Sequence, residues 1–65
     1  MQRYVERMIQ EQNELRGRIS RLKKAVENPP YGVDVKGLEL IQRQIETMEC
    51  YSKVLQERID YEGAK

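Results

Sequence analysis

Sixty-five residues carrying a net charge of +1 make one domain at most, and a near-neutral balance excludes a partner selected by bulk charge. One cysteine and no histidine exclude disulfide and zinc staples. No apolar run approaches the ~18 residues of a membrane span and no signal peptide is visible, so a soluble, cytoplasmic protein with no membrane partner is expected.

In chain order, the spacing predicts a first helix over 2–27. Val5, Met8, Leu15, Ile19, Leu22 and Val26 step by three and four, which puts them on one stripe. Gly17 lies outside the stripe and weakens the helix by about 1 kcal/mol against alanine. Asn28 precedes Pro29, and a residue before proline avoids the α region, so the helix stops there. Residues 28–34 form the loop, with Pro29-Pro30-Tyr31-Gly32 as a stiff turn. A second helix is expected over 35–62. Asp34 caps it, Val33 and Leu38 have the spacing of a hydrophobic staple, Gly37 weakens the first turn and Gly63 is the stop. Its stripe is Leu38, Ile41, Ile45, Met48, Leu55 and Ile59. Each helix would be about 40 Å long.

The two stripes are mirror images. Folding the chain about Gly32 sets Val26 by Leu38, Leu22 by Ile41, Ile19 by Ile45, Leu15 by Met48, Met8 by Leu55 and Val5 by Ile59, with residue numbers in each rung summing to 63 or 64. One rung is polar, Gln12 with Ser52, and fixes register. The expected fold is therefore all-α: a single domain over 1–65, an antiparallel two-helix hairpin resembling a coiled coil. A rival topology opens the loop and exchanges helices between chains.

Two helices packed only on each other bury one seam, and a chain this small draws roughly 3–5 kcal/mol from its core. Self-association is the remaining remedy, so a homo-oligomeric helical bundle is expected. Its surface would be a second row on the second helix, Leu40, Thr47, Val54 and Tyr61, spaced by seven and without a partner inside a hairpin. Cys50 falls on the outer face, as a surface thiol suited to a reducing compartment.

The charges are unevenly placed. Between Leu15 and Val26 stand five cations, Arg16, Arg18, Arg21, Lys23 and Lys24, and no acid. Arg16 and Glu49 flank one rung, where they could pair, an exposed contact worth little. One flank of the hairpin aligns Tyr4, Glu11 and Arg18 with Gln44, Tyr51 and Arg58, placing Tyr4 near Arg58 and Glu11 near Tyr51. Rings that stack on a nucleobase beside cations that hold phosphate are what a nucleotide pocket requires. The candidate ligand residues are Tyr4, Arg7, Arg18, Tyr51 and Arg58.

The segments Tyr4–Val26, with Arg7, Glu11, Leu15, Ile19 and Leu22, and Leu40–Ile59, with Gln44, Met48, Tyr51, Leu55 and Arg58, resemble the two helices of a family of short, mostly uncharacterised phage and prophage proteins, often labelled by relation to a crAss-like phage protein. The resemblance covers nearly all of the chain except 27–37. It implies a host-directed phage factor. Several unrelated small phage proteins are oligomers that sequester cyclic nucleotide or cyclic ADP-ribose immune signals, with pockets between subunits.

The expected function is thus a homo-oligomeric phage protein, a counter-defence sponge that binds a cyclic nucleotide-type signal without chemistry. The alternative is a protein-interaction module that docks on a host or phage protein through Leu40, Val54 and Tyr61. Nucleic acid is disfavoured by eight acids and five cations after Val26. No catalytic residue, metal site or cofactor is expected: the glutamates sit on wet helical faces, where burial cannot tune them, and no histidine completes a ligand set.

Overall fold

A computed structural model describes residues 3–65. It contains two helices, α1 (Arg3–Glu27) and α2 (Val35–Gly63), packed side by side in an antiparallel hairpin. The molecule measures 47 × 15 × 14 Å, the length of one helix and the width of two. The expected start at Gln2 lies outside the described residues.

The loop is built as its residues dictate. Asn28 N–H makes the last bond into α1, to Lys24 O at 2.9 Å, and Pro29 brings no further donor. Val33 N–H then donates to Pro30 O at 3.2 Å across a turn whose third residue is Gly32 with φ +91°. That left-handed position is the one a type II turn reserves for glycine. Asp34 caps α2, its Oδ1 accepting from Gly37 N–H at 2.8 Å.

The two glycines near these features behave differently from expectation. Gly37 sits against the cap: a Cβ there would meet Val33 Cγ1 at 3.0 Å and Asp34 Oδ1 at 3.3 Å. Its lack of a side chain lets the staple residue and the capping carboxylate approach the first turn. Gly63 is the last helical residue rather than a left-handed stop. The only described glycine with positive φ is Gly32, and Ala64 N–H continues the helical pattern to Asp60 O at 3.1 Å. Gly17 is a plain weak point, since a Cβ would make only an ordinary 3.6 Å contact with the Arg21 side chain. Gly17→Ala should therefore raise stability by up to about 1 kcal/mol, while Gly37→Ala should gain nothing or lose stability. Paired urea melts of the two variants check the contrast.

The core is the ladder. Val5, Met8, Leu15, Ile19, Ile45 and Leu55 are buried, and Leu22, Val26, Ile41, Met48, Ile59 and Ile9 pack against them. Leu38, the expected partner of Val26, is half-buried and outside the core, so the seam loosens toward the loop. The polar rung is fully bonded. Gln12 Nε2 donates to Ser52 O at 2.8 Å, Ser52 Oγ donates to Gln12 Oε1 at 2.9 Å, and Gln12 is only 2% exposed. A bonded polar layer inside an apolar seam penalises any slip, which would bury those groups unpaired.

Candidate functional site: the tyrosine flank

Helix geometry assigns the flanks. A residue one before a rung member falls on one side of the seam, and a residue four after it falls on the other. The rung Gln12/Ser52 is thus bracketed by Glu11 and Tyr51 on one flank and by Arg16 and Gln56 on the other. The bonds follow this rule. Tyr51 Oη donates to Glu11 Oε2 at 2.9 Å. Opposite, Arg16 Nη2 donates to Gln56 Oε1 at 3.0 Å. At the Ile19/Ile45 rung, two toward the loop, Lys23 pairs with Glu49 at 2.9 Å. The Arg16–Glu49 pair is not formed. Those residues have nearly level numbers, but the fourth residue after each rung member is what meets across this flank.

The second flank carries an open groove whose charged lining is Arg16 and Lys53 with Glu49 and Glu57, beside Gln12, Ser52 and Gln56. Its polar atoms already serve one another: Gln56 Oε1 accepts from both Gln12 Nε2 and Arg16 Nη2, and Gln56 Nε2 donates to Asp60 Oδ1. Cations and carboxylates line it in equal measure, so it offers no net charge to a ligand.

The tyrosine flank is different in kind. Tyr4 and Tyr51 leave their rings about half exposed while their hydroxyls are tied down. Tyr4 Oη donates to Glu62 Oε2 and Tyr51 Oη to Glu11 Oε2. The Glu62 hydrogen bond, with desolvation and that carboxylate's charge, raises the Tyr4 phenol above 10.0, and the Arg58 charge pulls it the other way. Tyr51 is raised by its bond to Glu11, again with desolvation and carboxylate charge, and again opposed by Arg58. Glu62 is lowered from 4.5, first by the Tyr4 bond, then by the charge of Lys65 and, more weakly, Arg58. Arg58 therefore sits within electrostatic reach of both phenols and of Glu62.

Of the candidate ligand residues, the fold brings Tyr4, Tyr51 and Arg58 together. Arg18 lies one heptad further along the same flank, and Arg7 on the adjoining face of α1; both are exposed. Among the described residues, the ion pairs are Lys23–Glu49, Lys36–Glu39 and Lys65–Glu62, so none of Arg7, Arg18 or Arg58 has its charge matched by one. Glu62 was not anticipated at this site. It follows the Ile59 rung by three residues, at a seam position where a polar residue signals the open end of the hairpin. Leu40, Val54 and Tyr61 are exposed at 49%, 52% and 66%, with Thr47 also exposed between them.

Because both phenols are raised, their bonds contribute below the unfolded value of 10.0 and are lost as pH rises through the folded values. Glu62, being lowered, contributes above 4.5 and loses its contribution as pH falls through its folded value. Tyr4→Phe should return Glu62 toward 4.5 without unfolding the hairpin. Carboxyl-carbon NMR titration reads this directly, and an unchanged Glu62 would refute the Tyr4 bond as its cause.

The flank thus presents two half-exposed rings and Arg58, with Arg18 further along it and Arg7 on the adjoining face of α1. The chain matches the Sequestin family over residues 2–61. It belongs to the Sequestin family. No curated protein and no solved structure matches the chain at a significant level. Within this Sequestin hairpin, no described helix is long and apolar enough to cross a membrane.

Proposed function

We propose that this Sequestin protein is a non-catalytic, homo-oligomeric binding protein that sequesters a small anionic ligand of the nucleotide class. The family's name denotes sequestration, which supports binding as the activity. The observation that carries the ligand class is the pairing of fixed, half-exposed Tyr4 and Tyr51 rings with the unpaired Arg58 between them. Locking the hydroxyls lowers the entropy lost when a base stacks on the rings, and a guanidinium matches phosphate oxygens bidentately.

The finer reading is a phage-encoded counter-defence sponge acting in the host cytoplasm on a cyclic nucleotide or cyclic ADP-ribose immune signal. Calorimetry of the purified protein against cyclic di- and trinucleotides and cyclic ADP-ribose isomers tests it. One of these should bind and be recovered intact after heat denaturation of the complex. No heat with any of them removes the reading, and recovery of a converted product removes its non-catalytic part. The exposed row on α2 favours a second reading, a module that blocks another protein; a single stoichiometric host partner in a pull-down supports it.

A further inference from the structure

The outer face of α2 carries three parallel rows, each spaced by seven. The central row is Leu40, Thr47, Val54 and Tyr61. On one side of it run Arg43, Cys50 and Glu57, and on the other Gln44, Tyr51 and Arg58. Thr47 belongs with the apolar residues, because its hydroxyl donates back to Arg43 O at 3.0 Å, so its hydrogen-bonding capacity is met within its own helix. Arg43 and Glu57 form no ion pair among the described residues.

We infer that a second copy of this chain docks antiparallel on this face of α2, in the register that sets Leu40 against the partner's Tyr61 and Thr47 against the partner's Val54. Only that register brings all four residues of the central row into contact together with the Arg43–Glu57 pair. Same flanks meet in an antiparallel helix pair, so Arg43 lies level with the partner's Glu57 twice over. Cys50 meets the partner's Cys50 at the two-fold axis. On the other side Gln44 faces the partner's Arg58, and Tyr51 faces the partner's Tyr51. No like charges are opposed. A slip of one heptad in either direction carries Leu40 or Tyr61 past the end of the partner helix and separates Arg43 from Glu57. A closed two-fold contact of this kind is isologous, as most homodimers are. It also covers the exposed apolar row of a hairpin too small to bury it internally.

The register has a consequence for the binding surface. At 100° per residue, the docking row lies about 130° around α2 from the seam with α1. The four helices therefore form a bent layer rather than a flat one. Both tyrosine flanks end on its concave side, with the two Tyr51 rings at the centre and an Arg58 and Tyr4 from each copy beyond them. A ligand that only lies on the surface of one hairpin is enclosed by two. This last step rests on the proposed reading of the tyrosine flank; the docking register does not.

The test uses the sole cysteine as a reporter. Native mass should be twice the 7.8 kDa chain mass or an even multiple of it. A short bis-maleimide should join chains through Cys50 in high yield. Moving the thiol to the adjoining face (Glu46→Cys with Cys50→Ser) should abolish the link. Arg43→Glu or Glu57→Arg alone should cut the cross-linked fraction about tenfold by opposing like charges, and the double swap should restore it. A monomer at high micromolar concentration, efficient linkage from position 46 but not 50, or a double swap that stays monomeric each overturns the inference. Calorimetry on the same variants separates the two readings. If a nucleotide binds a protein that stays monomeric, sequestration stands and this dimer falls; if the dimer forms and no nucleotide binds, the dimer stands and the ligand reading falls.

Discussion

Leu55→Ala is expected to unfold most of the protein at 25 °C. Leu55 is the most buried side chain, at 0% exposure, and its rung partner Met8 packs beside the equally enclosed Val5. Removing three buried carbons from a leucine site costs about 2–5 kcal/mol, the spread reflecting how well the surroundings collapse. The surroundings here cannot collapse far. The next rung is Gln12 with Ser52, whose two mutual hydrogen bonds hold the two backbones at fixed separation. A hairpin of this size draws only roughly 3–5 kcal/mol from its core, so one such loss consumes most of the margin. Far-UV circular dichroism should show a low, broad transition for the variant against a cooperative one for the parent. Val35→Ala, at a position 75% exposed, should shift the midpoint little and so control for generic loss of apolar bulk. Because self-association adds to apparent stability, the two melts belong at the same low concentration.

The seam was legible from sequence because it is written in one variable, the three-and-four stepping of apolar residues, and because both copies of the pattern run toward the same glycine. Gln12 and Ser52 could be matched for the same reason, and they are bonded. The cap at Asp34 was equally visible, since a short carboxylate three residues before a free N–H has one obvious use. The flanks were harder. Level residue numbers paired Glu11 with Tyr51 correctly but paired Arg16 with Glu49 wrongly. On the first flank the bracketing residues directly precede their rung, whereas on the second they follow it by a full turn. Arg16 therefore finds Gln56, and Glu49 finds Lys23. Glu62 belongs to no apolar step, and only the fold shows that Tyr4 crosses to it. By helix propensity alone Gly37 is a defect. Its value lies in a steric contact with Val33 and Asp34 that no propensity scale contains.

The tyrosine flank also contains its own counter-argument, and the second large effect turns on it. Two carboxylates, Glu11 and Glu62, stand where an anion is proposed to bind. Both are engaged as acceptors of phenol protons, and Glu62 is further neutralised by Lys65 at 3.4 Å. Each carboxylate therefore acts first on a ring, orienting it, and only second on the field at the surface. This separates two classes of substitution. Arg58→Ala removes the one cation that reaches both phenols, and its loss should weaken nucleotide binding about ten- to a hundredfold, the measure of a charge-assisted hydrogen bond. Tyr51→Ala should cost a similar factor through lost stacking, whereas Tyr51→Phe keeps the ring and should cost far less. Glu11→Gln retains an acceptor for the Tyr51 hydroxyl but deletes a negative charge, so an anionic ligand should bind more tightly to it, and the gain should shrink as salt is raised. Titration calorimetry of these four variants at two salt concentrations reads all of this. Tighter binding by Glu11→Gln together with loss in Arg58→Ala is the signature of an anion held against this face. Weaker binding in both would mean that the carboxylate itself accepts a hydroxyl of the ligand, and no change in either would remove the tyrosine flank from the function altogether.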